Sequence, residues 1–301
     1  MNAQMKVPLA GYFKLVATKL DGSQRVLADW FPNLILDQGL NRMGTGAFMS
    51  CCQVGSGSTA PGNTNTALES YVAGTNTIHA TTDGTAASAP YYGYKRRTYR
   101  FGLGVAEGNL SEVGVAWTTT TGNLFSRSLI KDGGGSPTTI TVLADEYLDV
   151  IYELRAYAPA SDTNFDVVIS GTTYTFTCRA SRVTDSIYWS PRDLAVGFID
   201  TGGTKSDERA FNGSIGAITA TPSGTSDTPT TITNNTYSNN SLQRDMTVVF
   251  SLDEGNLAGG ISAVLMSTTI GSFQLGVSPV FNKTSVKILT LVYRVSWARH
   301  V

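Results

Sequence analysis

Apolar and polar residues alternate one by one through most of the chain, which is the period of a half-buried β-strand. Residues 12–20 show it first, as Tyr-Phe-Lys-Leu-Val-Ala-Thr-Lys-Leu. Asp21-Gly22 then supplies a turn, and 25–31 return as the second arm of a hairpin. Further strands are predicted over 91–105, 113–119, 124–130, 138–143 and 147–157. Beyond Pro159 they follow over 165–169, 174–178, 246–252, 261–266, 273–277 and 286–298. Helical periodicity is nearly absent; the exception is a short helix near 37–43, with Asp37 as N-cap and Gly44 as terminator. Two stretches lose the alternation. Residues 51–90, rich in Gly, Ser, Thr, Asn and Ala, read as one long loop, and 201–245 read as loop-rich. Loops of that length are functional or are ordered by a neighbouring chain.

The two halves end alike. Glu107-Gly108-Asn109-Leu110 joins two strands in the first, and Glu254-Gly255-Asn256-Leu257 does so in the second. Superposing Tyr152 on Tyr293 keeps the pleat phase, so Leu148, Val150 and Leu154 fall on Leu289, Leu291 and Val295. Asn109 lies 43 residues before Tyr152 and Asn256 lies 37 before Tyr293; the extra six sit where the first half carries a Gly-Gly-Gly-Ser-Pro turn. The expected architecture is all-β, with two tandem β-sandwich-like domains over 1–158 and 159–301, the second repeating the first.

Composition narrows the classes of function. The chain has 301 residues, 22 Lys+Arg against 23 Asp+Glu, and only 15% charged residues, with 31 Gly and 39 Thr. A net charge of −1 lacks the basic excess of a general nucleic-acid binder. With 41% hydrophobic residues the chain is too apolar to be disordered. A surface so poor in charge fits a protein covered by other subunits. No run reaches the roughly 20 apolar residues of a membrane span, and the first residues do not form a signal peptide. Cys51, Cys52 and Cys178 read as reduced structural thiols rather than a disulfide framework.

Catalytic, metal and cofactor motifs are not found. Of two histidines, His79 falls in the polar stretch and His300 beside the C-terminus. Val54-Gly55-Ser56-Gly57-Ser58 misses the nucleophile-elbow spacing. Gly102, Gly104 and Gly108 miss the dinucleotide fingerprint by one residue. The densest acidic cluster, Asp145, Glu146 and Asp149, would be the acid pair of a glycan depolymerase, but it reads better as a solvated turn entering a long strand. The chain is therefore read as a non-enzyme. One constellation remains, Tyr91-Tyr92-Gly93-Tyr94-Lys95-Arg96-Arg97-Thr98-Tyr99-Arg100-Phe101. Tyr91, Tyr92, Tyr94, Lys95, Arg96 and Arg97 are the candidate contact residues. They either stack sugars or bases and grip phosphates, whether of nucleic acid or of a cell-surface lipopolysaccharide, or form an interface strand whose basic heads meet acids of an adjacent subunit.

Residues 33–43 (Asn-Leu-Ile-Leu-Asp-Gln-Gly-Leu-Asn-Arg-Met) and 52–68, which open with Cys-Gln-Val-Gly-Ser-Gly and continue rich in Thr and Asn, carry a resemblance. Together, over 33–68, they resemble the N-terminal region of tailed-bacteriophage virion proteins of the tail-fibre, tail-tip or baseplate type. The resemblance implies a structural tail component in the virion, synthesised in the host bacterial cytoplasm. It would dock to a symmetric tail hub as a trimer or hexamer-compatible homo-oligomer, contact other virion tail proteins, and support contact with a host surface glycan. The family has no catalytic motif to carry over. The alternatives are a glycan-binding receptor-recognition protein and a capsid decoration protein.

Overall fold

β-branched and aromatic residues at alternate positions favour extended pairing, and strands make up nearly all the regular structure of residues 3–198 and 207–300, the part that this computed structural model describes. The first half runs β1 (Ala3–Lys19), β2 (Gln24–Pro32), β3 (Leu34–Ile35), α1 (Asp37–Arg42), β4 (Cys51–Gly55), β5 (Tyr71–Thr75) and β6 (Ile78–Thr85). It continues with β7 (Tyr92–Phe101), β8 (Gly108–Leu110), β9 (Glu112–Ala116), β10 (Leu124–Leu129), β11 (Ile140–Val142) and β12 (Glu146–Tyr157). The second half runs β13 (Thr163–Ile169), β14 (Thr172–Ala180), α2 (Ser186–Trp189), β15 (Arg209–Phe211), β16 (Ser226–Asp227) and β17 (Thr231–Asn234). It closes with β18 (Gln243–Phe250), β19 (Ile261–Thr268), β20 (Gly271–Phe281) and β21 (Leu289–Arg299). The protein is all-β; neither helix is long and apolar enough to cross a membrane.

Eight strands form one large sheet in the order β17-β18-β21-β1-β12-β7-β6, with β2 also paired to β1. Its central strand draws on both halves: Leu9–Lys19 run antiparallel to β12, while residues 3–9 run parallel to β21. From Met5 on, odd-numbered residues of β1 face inward, and Met5, Val7, Leu9, Phe13, Leu15 and Ala17 are all buried. Two smaller sheets supply their packing partners, β3-β10-β9-β4-β5 and β13-β14-β20-β19-β15-β16. Met5, Val7 and Leu9 alone contribute about 5–8 kcal/mol of transfer free energy as an upper bound.

The two halves repeat one topology. Reading β3-α1-β4-β5-β6-β7-β9-β10-β12 against β14-α2-β15-β16-β17-β18-β19-β20-β21 matches in order and in antiparallel pairings within these sets, β14 having β13 as an additional neighbour. Tyr152 and Tyr293 occupy equivalent buried positions on one face of the large sheet. The glycines of the two Glu-Gly-Asn-Leu segments share a positive φ, 111° at Gly108 and 70° at Gly255, which side chains disfavour, although the first segment runs on into β8. Outside this matching the first half adds β1, β2 and the β8–β11 pair, in which Gly108–Leu110 form a strand, and the second half adds β13 beside β14.

Two expectations need correction, and a third holds. Residues 51–90 are not one loop: they hold β4, an interior strand buried on both faces and so without alternation, and the edge strands β5 and β6, of which β6 is polar and exposed. The described residues of 201–245 are loop-rich as expected, with only the short β15, β16 and β17 and the start of β18 formed, and 201–206 lie outside the described residues. The true loop, 56–70, is ordered from within by Glu112, which is fully buried and accepts from the backbone N–H of Gly57, Glu69 and Ser70. Arg127 closes the pair at 2.8 Å and also donates to Asn65 and to the Thr59 carbonyl. Asp37 does not cap α1, whose N-cap is Leu36 with no side-chain hydrogen bond. Its carboxylate instead accepts from Arg299.

The 33–43 segment ties distant pieces together. Gln38 donates to the carbonyls of Thr66 and Leu124, both at 2.9 Å. Asn41 accepts from Tyr237 and from the Asn240 N–H, and the Trp297 indole donates to the Leu40 carbonyl. Gly39 lies so close to β10 that a Cβ would run into the Phe125 carbonyl oxygen.

Two substitutions test this frame by denaturant unfolding. Gly39→Ala should lower stability by about 1–3 kcal/mol through overpacking, while Gly133→Ala, in open space, should change little. Glu112→Gln leaves Arg127 buried without its charge partner and should cost about 3–5 kcal/mol.

Candidate functional site

The pleat sends alternate residues of the Tyr91–Phe101 constellation to opposite faces of the large sheet. Tyr92, Tyr94, Arg96, Thr98 and Arg100 share the outer face with Tyr147, Asp149, Ile151, Glu153, Arg155 and Tyr157 of β12. Lys95 and Arg97 turn inward, and Tyr91 sits just before the strand, partly buried against the core. The six candidate residues therefore do not form one surface.

The outer face is a lattice of rings and guanidinium groups. Glu153 is almost wholly enclosed, receiving Arg96 Nε at 3.0 Å on one oxygen and Arg155 Nε at 2.7 Å on the other. The Arg155 guanidinium stacks over Tyr12 at 4.2 Å and Tyr92 at 4.5 Å, and that of Arg96 lies 5.0 Å from the Trp30 ring and 5.2 Å from Tyr94. Burial opposes the charge on Arg155, yet its bonds to Glu153 and Tyr157 hold the guanidinium protonated beyond its ordinary range. Further along, Arg100 grips Asp149 with two 2.7 Å hydrogen bonds and lies over Tyr147. On the other half Arg294 grips Asp245 in the same way. Tyr157 stacks on His300 with centroids 3.9 Å apart.

The acids that meet these basic heads belong to the same chain. The expectation that an adjacent subunit supplies them is corrected, because β12 and β6 place Glu153, Asp149 and Asp83 directly beside the basic strand. With each guanidinium already bonded, the face is not a bare strip for phosphates. A shallow groove of about 380 Å³ crosses it, lined by Lys14, Trp30, Ala80, Thr82, Arg96, Thr98 and Ile151. Trp30 remains 40% exposed there.

The other chemical candidates do not converge. Glu146 pairs with Arg25, Asp149 with Arg100, and Asp145 approaches Lys19 at 4.0 Å. His79 lies exposed on β6 rather than in a loop. Among the described residues no group of three His, Cys, Asp or Glu is placed to hold a metal. The three cysteines are buried and unpaired, and burial pushes the Cys178 thiol up to about 12. Compared with protein-family models, with curated proteins and with solved structures, the chain matches none.

Sequence reasoning missed Tyr12, Trp30 and Glu153. Tyr12 and Glu153 were visible as outward-phase residues of their strands, but only the register Tyr12↔Glu153↔Arg96 brings the three together. Trp30 joins them because β2 folds back beside β1.

The ion pairs set an acid limit. Hydrogen bonds from Arg294 and from Arg179 hold Asp245 and Asp162 below the ordinary carboxyl value of 3.8. Burial alone would raise Glu146, but Arg25 and the Leu143 N–H outweigh it and the net shift is also downward. A depressed folded-state pKa stabilises the fold above the unfolded value and loses that contribution as pH falls through the folded one. The denaturant midpoint should therefore stay flat from pH 7 to about 5 and drop below about 4. In Asp245→Asn the drop should be shallower, and a midpoint that rises toward pH 3 would contradict the assignment.

Proposed function

We propose that the chain is a structural component of a phage tail, at the tip, baseplate or fibre attachment, that assembles as a symmetric homo-oligomer and docks to a tail hub. The observation that carries this reading is the outer face of the large sheet. It presents Tyr, Trp and paired Arg side chains over many strands, while the inner face lies under the smaller sheets. Tyr, Trp and Arg are the residues enriched at protein interfaces and their hot spots. The scarcity of charge, the all-β frame and the 33–43 segment that ties the halves together support it. The repeated topology adds a symmetry argument: three copies present six similar units, matching a threefold fibre to a sixfold tail. The location is the virion tail, after synthesis in the bacterial cytoplasm.

The groove beside Trp30 favours a second reading, a receptor-recognition protein for a host surface glycan, because an exposed indole flanked by Thr82 and Thr98 suits a sugar ring. Native mass spectrometry and light scattering decide the first. A trimer or hexamer is expected, with a Trp30→Ala, Tyr94→Ala double variant assembling at least tenfold more weakly. A stable monomer at micromolar concentration contradicts assembly, and retention on a host-glycan array by that monomer would favour the second reading.

A further inference from the structure

The inward-facing part of the Tyr91–Phe101 constellation has no role in the outer lattice. Lys95 and Arg97 instead open onto a cavity of about 410 Å³ between the two halves, completed by Asp83 of β6 and by Ser186, Ile187, Ser190, Arg192, Asp193 and Leu194 of the second half. We propose that this cavity is a binding site for a small organic anion, one carboxylate or phosphate group on a compact carbon body.

The hydrogen-bonding state of the lining carries the assignment. Asp193 is saturated: Oδ1 accepts from the Phe48 and Met49 N–H groups, and Oδ2 accepts from the Ser50 hydroxyl at 3.2 Å and from Arg97 Nη1 at 2.7 Å. Asp83 Oδ1 accepts from Lys95 Nζ at 2.6 Å and from the Ser190 hydroxyl at 2.7 Å. The cations are not saturated. Lys95 directs one ammonium hydrogen bond to Asp83 and has donors in reserve. Among the described residues Arg97 makes two hydrogen bonds, both through Nη1, to Met49 and Asp193, and its buried Nε has no partner. Arg192 anchors its backbone on the Thr269 carbonyl, and among the described residues its guanidinium makes no hydrogen bond or ion pair. Three cations against two carboxylates leave one positive charge and a surplus of donors, which an anionic oxygen group satisfies.

The volume and the rim define the rest of the ligand. A cavity of about 410 Å³ is of small-ligand size and much larger than an inorganic ion. Ile187 and Leu194 each stay 54% exposed at its edge, two aliphatic side chains beside a polar floor. They offer contact to the carbon body while the charged group reaches Lys95, Arg97 and Arg192. The halves contribute different parts, the cationic strand from one and the Ser186–Leu194 connection from the other, so occupancy also bridges them.

Isothermal titration of the full chain with glucuronate, glucose 6-phosphate, inorganic phosphate and glucose tests the site. At least one of the two organic anions should bind saturably, more tightly than inorganic phosphate and with falling affinity as salt rises; glucose should not bind. Whichever anion binds more tightly distinguishes a carboxylate from a phosphate ligand. Arg192→Gln should weaken binding about tenfold and leave the unfolding midpoint unchanged, because Arg192 has no side-chain partner among the described residues. Absence of saturable binding, equal affinity for inorganic phosphate, or full affinity in Arg192→Gln overturns the proposal.

Discussion

A single backbone, that of β1, has to satisfy neighbours from both halves of the chain, and the rest of the architecture follows from how it does so. Its later residues pair with β12 and β2, and its first residues pair with β21. Because β12 runs antiparallel to it and β21 parallel, the two repeats are related by a half-turn about an axis through β1 normal to the sheet. A half-turn of that kind preserves the face, so Tyr152 and Tyr293 point the same way and both smaller sheets cover one side. Pro8, which has no N–H to donate, falls where β12 has not yet begun to pair and interrupts no second ladder.

The charged residues obey the same economy. A carboxylate inside a protein is tolerated only with partners for its lone pairs. Glu112 has three backbone N–H groups and Arg127, Asp193 has two backbone N–H groups, a hydroxyl and Arg97, and Glu153 has two arginines. Glu112 and Asp193 each fix a loop through its backbone N–H groups, and the 56–70 loop that Glu112 holds contains almost nothing apolar. The charge deficit of the composition becomes sharper as a result. Part of the small charged fraction lies inside, and the exterior is poorer still in unpaired charge.

The outer lattice and the inner cavity come from one strand read on its two faces. Period-2 geometry divides Tyr92, Tyr94 and Arg96 from Lys95 and Arg97, so two surfaces of different character coexist on β7 without competing. The outward residues are bonded to one another and offer rings. The inward residues keep donors in reserve. This division makes assembly through one face compatible with ligand binding behind the other.

Alternation of side chains by itself determined the all-β class, most of the long strands and the pleat phase that equates Tyr152 with Tyr293, because burial of one face of a sheet writes itself into every second residue. The repeated Glu-Gly-Asn-Leu segments were legible for a similar local reason, a backbone conformation at Gly108 and Gly255 that glycine accepts more readily than other residues. β5, β6 and β17 were not legible, since edge strands of Gly, Thr and Asn bury too little to leave a pattern. Asp37 shows the limit of local chemistry: an ideal capping residue is taken instead by Arg299, 262 residues away. Only the tertiary structure decided which carboxylate each arginine meets, which way the basic strand divides, and that one central strand serves both repeats. Those outcomes depend on register and on contacts between residues far apart in the chain, and no local pattern encodes them.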